Sequence, residues 1–189
     1  MTLEQEQKIE QLLKNWRDER HLSIESQRDG LMGNLCEEMA EYYRANGTYE
    51  QIDALCDIYV FCMNSLNISF IDLKNMLEPH LKVLTINVEH RFFILSQIDK
   101  YYKVSKNIGI KNSYSETEFN KNLYILMRSV ENEAVKLGYN FHECMLETVK
   151  EISSRTGHFD ENIHKFVKDK SDEAKSKWYK ADYEKCRIK

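Results

Sequence analysis

The chain contains very little proline and glycine: one Pro and six Gly among 189 residues. Both residue types interrupt regular structure, so their scarcity favours a few long helices over many short strands. The chain also lacks an apolar run long enough to span a membrane. Its first residues lack the basic and then apolar stretch of a secretory signal. We therefore predict a helical protein of the cytoplasm that does not bind membranes.

A disulfide framework is also absent from the sequence. The five cysteines are an odd number, and none forms a Cys-x-x-Cys pair. Cys36, Cys56 and Cys62 lie within apolar helical patterns, so we expect them in the core as small apolar residues. This cysteine usage fits a reducing compartment.

The charge of the chain is distributed unevenly. The net charge of −4 does not favour nucleic-acid binding. Residues 164–189 nevertheless contain nine Lys or Arg and five Asp or Glu. We therefore divide the chain into one helical domain, residues 1–163, and a basic C-terminal tail, residues 164–189.

Apolar residues recur at helical spacing through most of the chain. The predicted fold is an all-α helical bundle, with Thr48 as the cap of the third helix. A polar loop is expected at 106–116, and after Gly157 the helical pattern weakens into a polar, basic tail. The predicted helices are 3–20, 31–45, 49–66, 71–84, 88–104, 118–137 and 141–154.

Two acidic clusters occupy the second and third predicted helices: Glu37, Glu38 and Glu41 on one, Glu50, Asp53 and Asp57 on the next. Acids at such spacing usually form a solvated surface. The third helix, however, is apolar on most sides from Ile58 to Leu66 and contains no Lys or Arg, so we expect it to be buried. Buried carboxylates need partners, and Mg²⁺ held between Asp53, Asp57, Glu38 and Glu41 would supply one.

At these residues the chain resembles the MazG-like all-α nucleoside triphosphate pyrophosphohydrolases. That family carries Glu-Glu-x-x-Glu on one helix and Glu-x-x-Asp on the next. Glu37-Glu38-Met39-Ala40-Glu41 matches the first part, and Asp57 matches the closing Asp of the second. Ala54 stands where the family has Glu. Asp53 is one candidate to replace it, and Glu50-Gln51-Ile52-Asp53 is a second reading one turn earlier, so the number of metal ions stays open.

The resemblance continues from Leu137 to Cys186, which is similar to the closing helix and tail of phage and bacterial members. Residues 67–136 then look like an insertion relative to short family members. Each part of this similarity rests on sequence pattern alone.

The resemblance implies hydrolysis of a nucleoside triphosphate between its α and β phosphates, giving a monophosphate and pyrophosphate. Mg²⁺, or Mn²⁺ as a substitute, would be held by Glu38, Glu41, Asp53 and Asp57. Glu37 and Glu38 would be the catalytic acids, with Glu37 orienting the attacking water. Association into a homodimer or homotetramer is also implied. The basic residues expected to hold the triphosphate are Lys150, Arg155, Lys165 and Lys168.

Two alternatives remain open from the sequence. A non-catalytic helical module that binds a nucleotide or a protein is consistent with Ala54 at the family's Glu position. A phosphoribosyl-ATP pyrophosphohydrolase would share the fold and the chemistry, but it ranks lower because of the long insertion. The tail aromatics Trp178, Tyr179 and Tyr183 are expected to pack rather than to stack on a base.

Overall fold

The computed structural model describes residues 1–77, 94–100, 113–162 and 165–189, and the side chains of 113–115 and 165 are not described. Within these ranges the protein is mostly helical, as the sequence predicts. The helices are α1 (Leu3–Glu19), α2 (Ile24–Arg44), α3 (Thr48–Asn64), α4 (Phe70–Leu77), α5 (residues 94–100), α6 (Ser113–Lys136), α7 (Phe141–Ser154) and α8 (Asp172–Ser176).

Helix α3 lies at the centre of the bundle. It packs against α2 and α6 on two sides and also contacts α1 and α7. Its side chains from Ile52 to Asn64 are buried except for Asp53, Asp57 and Phe61. The prediction of a buried third helix is therefore confirmed, and its two aspartates lie on the one strip that the other helices leave partly open.

Helix α2 begins earlier than its apolar stripe predicts, at Ile24 instead of Leu31. Ser23 caps it by accepting a hydrogen bond from the Ser26 backbone N–H. The polar first turns are held by Arg28, which donates to the Ser65 carbonyl at 2.8 Å and to Glu116 at 2.6 Å. Tertiary contacts thus fix a stretch of helix that has no apolar periodicity of its own.

The start of α3 also differs from the prediction. Gly47 is the N-cap, without a side-chain hydrogen bond, and Thr48 is the first helical residue. The Thr48 hydroxyl lies 3.0 Å from the Tyr139 hydroxyl instead of capping the helix. Glu50 supplies the terminal contact by accepting from the Asn46 backbone N–H at 2.7 Å.

The structure tests the other predicted helix boundaries where it describes the chain. Helix α6 begins at Ser113, so the predicted loop at 106–116 is wrong over 113–116, while 106–112 lie outside the described residues. The predicted helices 71–84 and 88–104 agree with α4 and α5 where the chain is described, and their remaining residues lie outside it. Helix α7 has the predicted bounds.

The segment that begins at Gly157 contains the only two strands among the described residues. Strand β1 (Gly157–Asp160) pairs antiparallel with β2 (Lys165–Lys168), with Gly157 opposite Lys168 and Asp160 opposite Lys165. The chain is therefore mostly helical, as predicted, but the all-α prediction did not include this hairpin. The hairpin also joins residues on both sides of the predicted division at 163/164, which itself stays a prediction.

The last residues form a docked segment, which we call the C-terminal strap and define as residues 178–188. Its 3₁₀ turn, Tyr183–Cys186, packs on α7 and α3. The strap is anchored at its end by hydrogen bonds from Asn140 N to the Cys186 carbonyl and from Ile188 N to the Gly138 carbonyl, each 2.8 Å long. This part of the predicted basic tail is therefore fixed to the bundle.

The cysteines follow the prediction in two of three cases. Cys56 and Cys62 are buried, as expected, whereas Cys36 is exposed. Cys36 lines an open apolar cavity beside α2, so its apolar neighbours in sequence do not bury it. No cysteine among the described residues forms a disulfide.

Candidate functional site

The acids of α2 lie at the edge of its buried stripe. Glu38 is half-buried next to Leu35, Met39 and Tyr42, whereas Glu37 and Glu41 are exposed. Successive residues are 100° apart on a helix, so Glu38 and Glu41 point 60° apart toward the side where α3 packs. This placement agrees with the sequence prediction.

The acids of α3 divide into two groups. Asp53 and Asp57 are half-buried and, four residues apart, lie on one face. Glu50 is exposed, and its carboxylate accepts a hydrogen bond from the Asn46 backbone N–H at the start of the helix. The Glu50–Asp53 reading of the motif is therefore disfavoured, because Glu50 is already committed to a structural contact.

Carboxylates of the two helices converge on each other. Burial raises the pKa of Glu38 to about 8, and the charge of Asp57 on the neighbouring helix is the next largest cause. The remaining causes are the charges of Glu41, Asp53 and Glu37. Since each of these groups raises the pKa of Glu38, all five acids share one electrostatic environment.

The aspartates show the same environment from the side of α3. Burial, and next the charge of Asp53, raise the pKa of Asp57 to about 7. Burial also raises the pKa of Asp53 above its ordinary value. The two predicted metal-binding faces therefore form one cluster in the folded chain.

Helix α7 and its C-cap add two charged residues, Glu151 and Arg155, of which only Arg155 was predicted. Arg155 Nη2 lies 2.7 Å from Glu151 Oε1, and both side chains are mostly buried. The positive charge of Arg155 opposes the rise in the pKa of Asp57, whereas the charge of Glu151 adds to it. Glu151 was missed, although its i, i+4 spacing to Arg155 on a predicted helix was a usable signal.

Lys168 reaches the same cluster from strand β2. The Lys168 side chain is exposed to solvent, but partial burial still lowers its pKa, the nearby Arg155 lowers it further, and the charge of Asp57 opposes both. Two cations, Arg155 and Lys168, therefore face the acids from outside the α2–α3 pair. Their common location supports the sequence prediction that these two residues act together.

Arg20 fixes the hairpin that carries Lys168. Its guanidinium donates to the Ser153 and Arg155 carbonyls, 3.1 and 3.3 Å away, at the end of α7. The same group lies between the rings of Trp16 and Phe166, 5.0 and 5.2 Å from their centroids. Arg20 thus joins α1, the C-terminus of α7 and strand β2, as a cation at a helix C-terminus is expected to do.

Of the other two predicted basic residues, Lys150 is not brought to the acids. Lys150 is exposed, with its Nζ 3.6 Å from the centre of the Tyr179 ring. Lys165 pairs in the backbone register with Asp160, and its side chain lies outside the description. Of the four predicted phosphate ligands, the structure places Arg155 and Lys168 together.

Tyr183 is the second residue of the cluster that sequence reasoning did not assign to it. Its ring is buried, 1% exposed, as expected for a packing residue. Its hydroxyl, however, donates to Asp53 Oδ1 at 2.9 Å. No local pattern connects residue 183 with residue 53, because the contact depends on how the strap docks.

The third helix contains no Lys or Arg of its own, and its two aspartates have partners from other elements of the chain. Asp53 has Tyr183, and Asp57 faces Arg155 and Lys168. Asn64, which the sequence places on the same strip, accepts from Arg17 at 2.7 Å and belongs to a different contact. The partners come from other elements of the chain, so the sequence of α3 alone could not reveal them.

The donor chemistry of the cluster fits a divalent cation. Carboxylate oxygens are preferred ligands of Mg²⁺, and a cation among Glu38, Asp53 and Asp57 would relieve the repulsion that raises their pKa values. Among the described residues no three His, Cys, Asp or Glu side chains are already arranged as a metal site. A bound ion would therefore require rotation of the acidic side chains toward each other, which the exposed Glu41 and Glu37 have space to do.

A large cavity lies elsewhere on α2. It is apolar, about 600 Å³ in volume, and is lined by residues of α2 and α5 that include Met32, Cys36, Tyr43 and Leu95. Cys36 and Glu38 are two positions apart in the sequence and so point to nearly opposite sides of the helix. None of the predicted site residues lines this cavity, so the acidic cluster remains the candidate site.

No protein-family model matches the chain, and the searches of curated proteins and of solved structures found nothing similar to it. The MazG-like resemblance therefore stays a prediction from the motif residues. Within the described parts of the chain, every helix is too short or too polar to cross a membrane.

Proposed function

We propose that this protein is a Mg²⁺-dependent nucleoside triphosphate pyrophosphohydrolase that cleaves the bond between the α and β phosphates. One observation carries the proposal. Acids of two neighbouring helices, Glu38 and Glu41 with Asp53 and Asp57, share one electrostatic cluster that also faces Arg155 and Lys168. A cluster that combines acids for a metal with cations for phosphate is suited to a metal–triphosphate complex.

In this proposal Glu38, Glu41, Asp53 and Asp57 hold the ion. Mg²⁺ bound there would offset the charge that develops on the phosphate oxygens and lower the pKa of the attacking water. Arg155 is oriented by Glu151 and would donate to phosphate oxygens in a fixed direction. Lys168 would add a compact charge from strand β2, and the exposed Glu37 would accept a proton from the water.

Asp53 is our choice for the acid that replaces the family Glu. Ala54 is 2% exposed and faces the core, so a ligand at that position would have no access to the cluster. Asp53 is the residue before Ala54, so the Asp53 side chain points 100° away from that of Ala54 around the helix. It therefore lies on the half-buried face of α3. The Tyr183 hydroxyl holds it there.

A non-catalytic module is the second candidate, because Arg155 and Lys168 already compensate part of the negative charge without a metal. Such a module would bind a nucleotide or a partner protein without turnover. We also retain the proposals of a cytoplasmic homodimer or homotetramer and of Mn²⁺ as a substitute ion. A triphosphate, rather than nucleic acid, is the proposed substrate.

The test is pyrophosphate release from a panel of ribo- and deoxyribonucleoside triphosphates, with Mg²⁺ and with EDTA. Asp57→Asn and Glu38→Gln should each lower kcat by about 100-fold or more, on the scale of losing one electrostatic stabiliser, while the helical circular-dichroism signal is kept. Glu50→Gln is the matched control on α3, since its amide oxygen can still accept from Asn46 and activity should be unchanged.

Two outcomes would count against the enzyme. If Asp57→Asn released pyrophosphate as fast as the unchanged protein, the cluster would not be the catalytic site. If no nucleotide were cleaved although metal and nucleotide bound, the non-catalytic module would be favoured.

A further inference from the structure

The contact between the strap and Asp53 links the C-terminus of the chain to the acidic cluster. Tyr183 donates its phenol proton to Asp53 Oδ1 at 2.9 Å, and within the described residues Oδ2 makes no hydrogen bond. A carboxylate held by one oxygen keeps a fixed orientation and leaves the other oxygen for a ligand. Residues that orient metal ligands in this way are a regular part of metal sites.

The Tyr183 hydroxyl is itself supported from behind. Thr148 Oγ1, on α7, lies 2.9 Å from the phenol oxygen and 3.0 Å from the Cys144 carbonyl. The phenol has one proton, and an ionised carboxylate can only accept. The phenol therefore donates to Asp53, and the Thr148 hydroxyl has the phenol oxygen and the Cys144 carbonyl as alternative acceptors.

The strap holds Tyr183 rigidly in this position. Ala181 N donates to Glu151 Oε2 at 2.7 Å, and Asp182 N donates to Glu147 Oε2 at 3.0 Å. The Tyr183 ring also lies 5.1 Å from the ring of Tyr49, whose hydroxyl donates to the Ala181 carbonyl. Backbone groups of the two residues before the tyrosine are thus attached to α7 and α3, and the Cys186 carbonyl after it accepts from Asn140 N, so the phenol has little freedom to leave Asp53.

We infer that Tyr183 is a positioning residue of the acidic cluster: it holds Asp53 through Oδ1 so that Oδ2 can bind the divalent cation. This inference rests on the proposed function, since it requires that the cluster binds a metal. It assigns the strap a part in the site, in addition to its packing on the bundle. Residue 183 acts through Asp53 and has no contact with the reacting phosphate.

The experiment measures the dissociation constant for Mn²⁺ by electron paramagnetic resonance, which does not depend on turnover. Tyr183→Phe removes the hydroxyl and keeps the ring, and Thr148 can then donate to the Cys144 carbonyl. The Mn²⁺ dissociation constant should rise about tenfold, the lower end of the effect of losing a group that orients a ligand. Tyr139→Phe, which removes a buried tyrosine hydroxyl that is bonded to Thr48 and not to the cluster, should leave it unchanged.

A double-mutant cycle separates positioning from a general loss of structure. If Tyr183 acts through Asp53, then Tyr183→Phe should have no further effect on Mn²⁺ binding in an Asp53→Asn background. An equal tenfold effect in that background would overturn the inference, as would unchanged binding in the single variant.

The same measurements distinguish this inference from the proposed function. If the unchanged protein did not bind Mn²⁺, or if Asp57→Asn bound it equally well, the metal site itself would be wrong. If Asp57→Asn lost binding but Tyr183→Phe did not, the metal site would stand and the role of Tyr183 would be rejected.

Discussion

Single residues of the cluster owe their properties to burial and to one another. Glu38 and Asp57 lie on different helices, yet the charge of Asp57 is the largest charge effect on the pKa of Glu38. The folded state has a higher free energy when both half-buried acids are ionised than when one of them holds a proton. The stability of the metal-free protein should therefore depend on pH.

We expect the free energy of unfolding to fall as the pH rises toward 8. The pKa values of Glu38 and Asp57 increase on folding from 4.5 and 3.8 to about 8 and about 7, so the folded chain holds more protons in this range. Stability from these groups is complete below their unfolded pKa values and is lost as the pH passes their folded ones. Urea unfolding in EDTA, followed by circular dichroism at a series of pH values, measures this dependence.

Asp57→Asn is the control for the pH experiment. It removes one titrating acid and the largest charge effect on Glu38, so the fall in stability with pH should become shallower. Saturating Mg²⁺ should flatten the dependence in the unchanged protein, because the metal binds the ionised acids of the folded state. An equal slope in the variant and the unchanged protein would contradict this account.

At the scale of elements, the β1–β2 hairpin determines where Lys168 lies. Gly157 is opposite Lys168 in the register, and a Cβ at Gly157 would meet the Val167 carbonyl oxygen and approach the Phe166 ring to 2.8 Å. The backbone of β2 thus passes so close to Gly157 that any other residue at this position would require β2 to move. The glycine is needed for this close approach.

Gly157→Ala should move β2 and weaken substrate binding while the bundle stays folded. We expect KM for the triphosphate to rise about tenfold, comparable to losing about 1.4 kcal/mol of phosphate contact, with a smaller change in kcat. Steady-state kinetics with the best substrate of the panel would measure both constants.

Gly33→Ala is the matched control, since a Cβ at Gly33 meets nothing within 4 Å and the residue lies inside α2. Alanine there should stabilise the helix by about 0.5–1 kcal/mol without changing KM. If Gly157→Ala left KM unchanged, Lys168 would not contribute to phosphate binding.

The hairpin also illustrates the limit of local sequence patterns. Each strand has four residues, and the flanking segments are polar and charged, so periodicity cannot distinguish them from a loop. Residues distant in the sequence hold the two strands in place. Arg20, directly after α1, stacks on Phe166, and the ring of His21 lies 5.8 Å from the ring of Phe159 between centroids. The long amphipathic helices were predictable because their signal spans several turns.

At the scale of the whole molecule, one buried ionic network joins three helices. Glu6 of α1 is fully buried and accepts from Lys74 of α4 at 2.5 Å and from Arg128 of α6 at 2.9 Å. Arg128 also contacts Glu131 at 2.6 Å. Buried charges are tolerated only when they are paired, so each member depends on the others.

Glu6→Ala should destabilise the protein by about 3 kcal/mol, because it removes a fully buried acceptor shared by two partly buried cations. Thermal and urea unfolding would measure the loss. Lys14→Ala is the control on the same helix: its pair with Asp18 is more than half exposed, and its removal should cost less than about 0.5 kcal/mol. Equal stability of Glu6→Ala and the unchanged protein would show that the network is not needed to hold the bundle.

The sequence by itself determined the helical character of the protein, the burial of α3 and the acids that belong together, because helical spacing fixes which side chains share a face. It also identified Arg155 and Lys168 as cations of interest. Only the tertiary structure decided that Glu50 is committed to a helix end, that Lys150 lies on Tyr179, and that Glu151 and Tyr183 join the cluster. These contacts connect residues that are distant in the chain, and their geometry depends on how the helices, the hairpin and the strap pack.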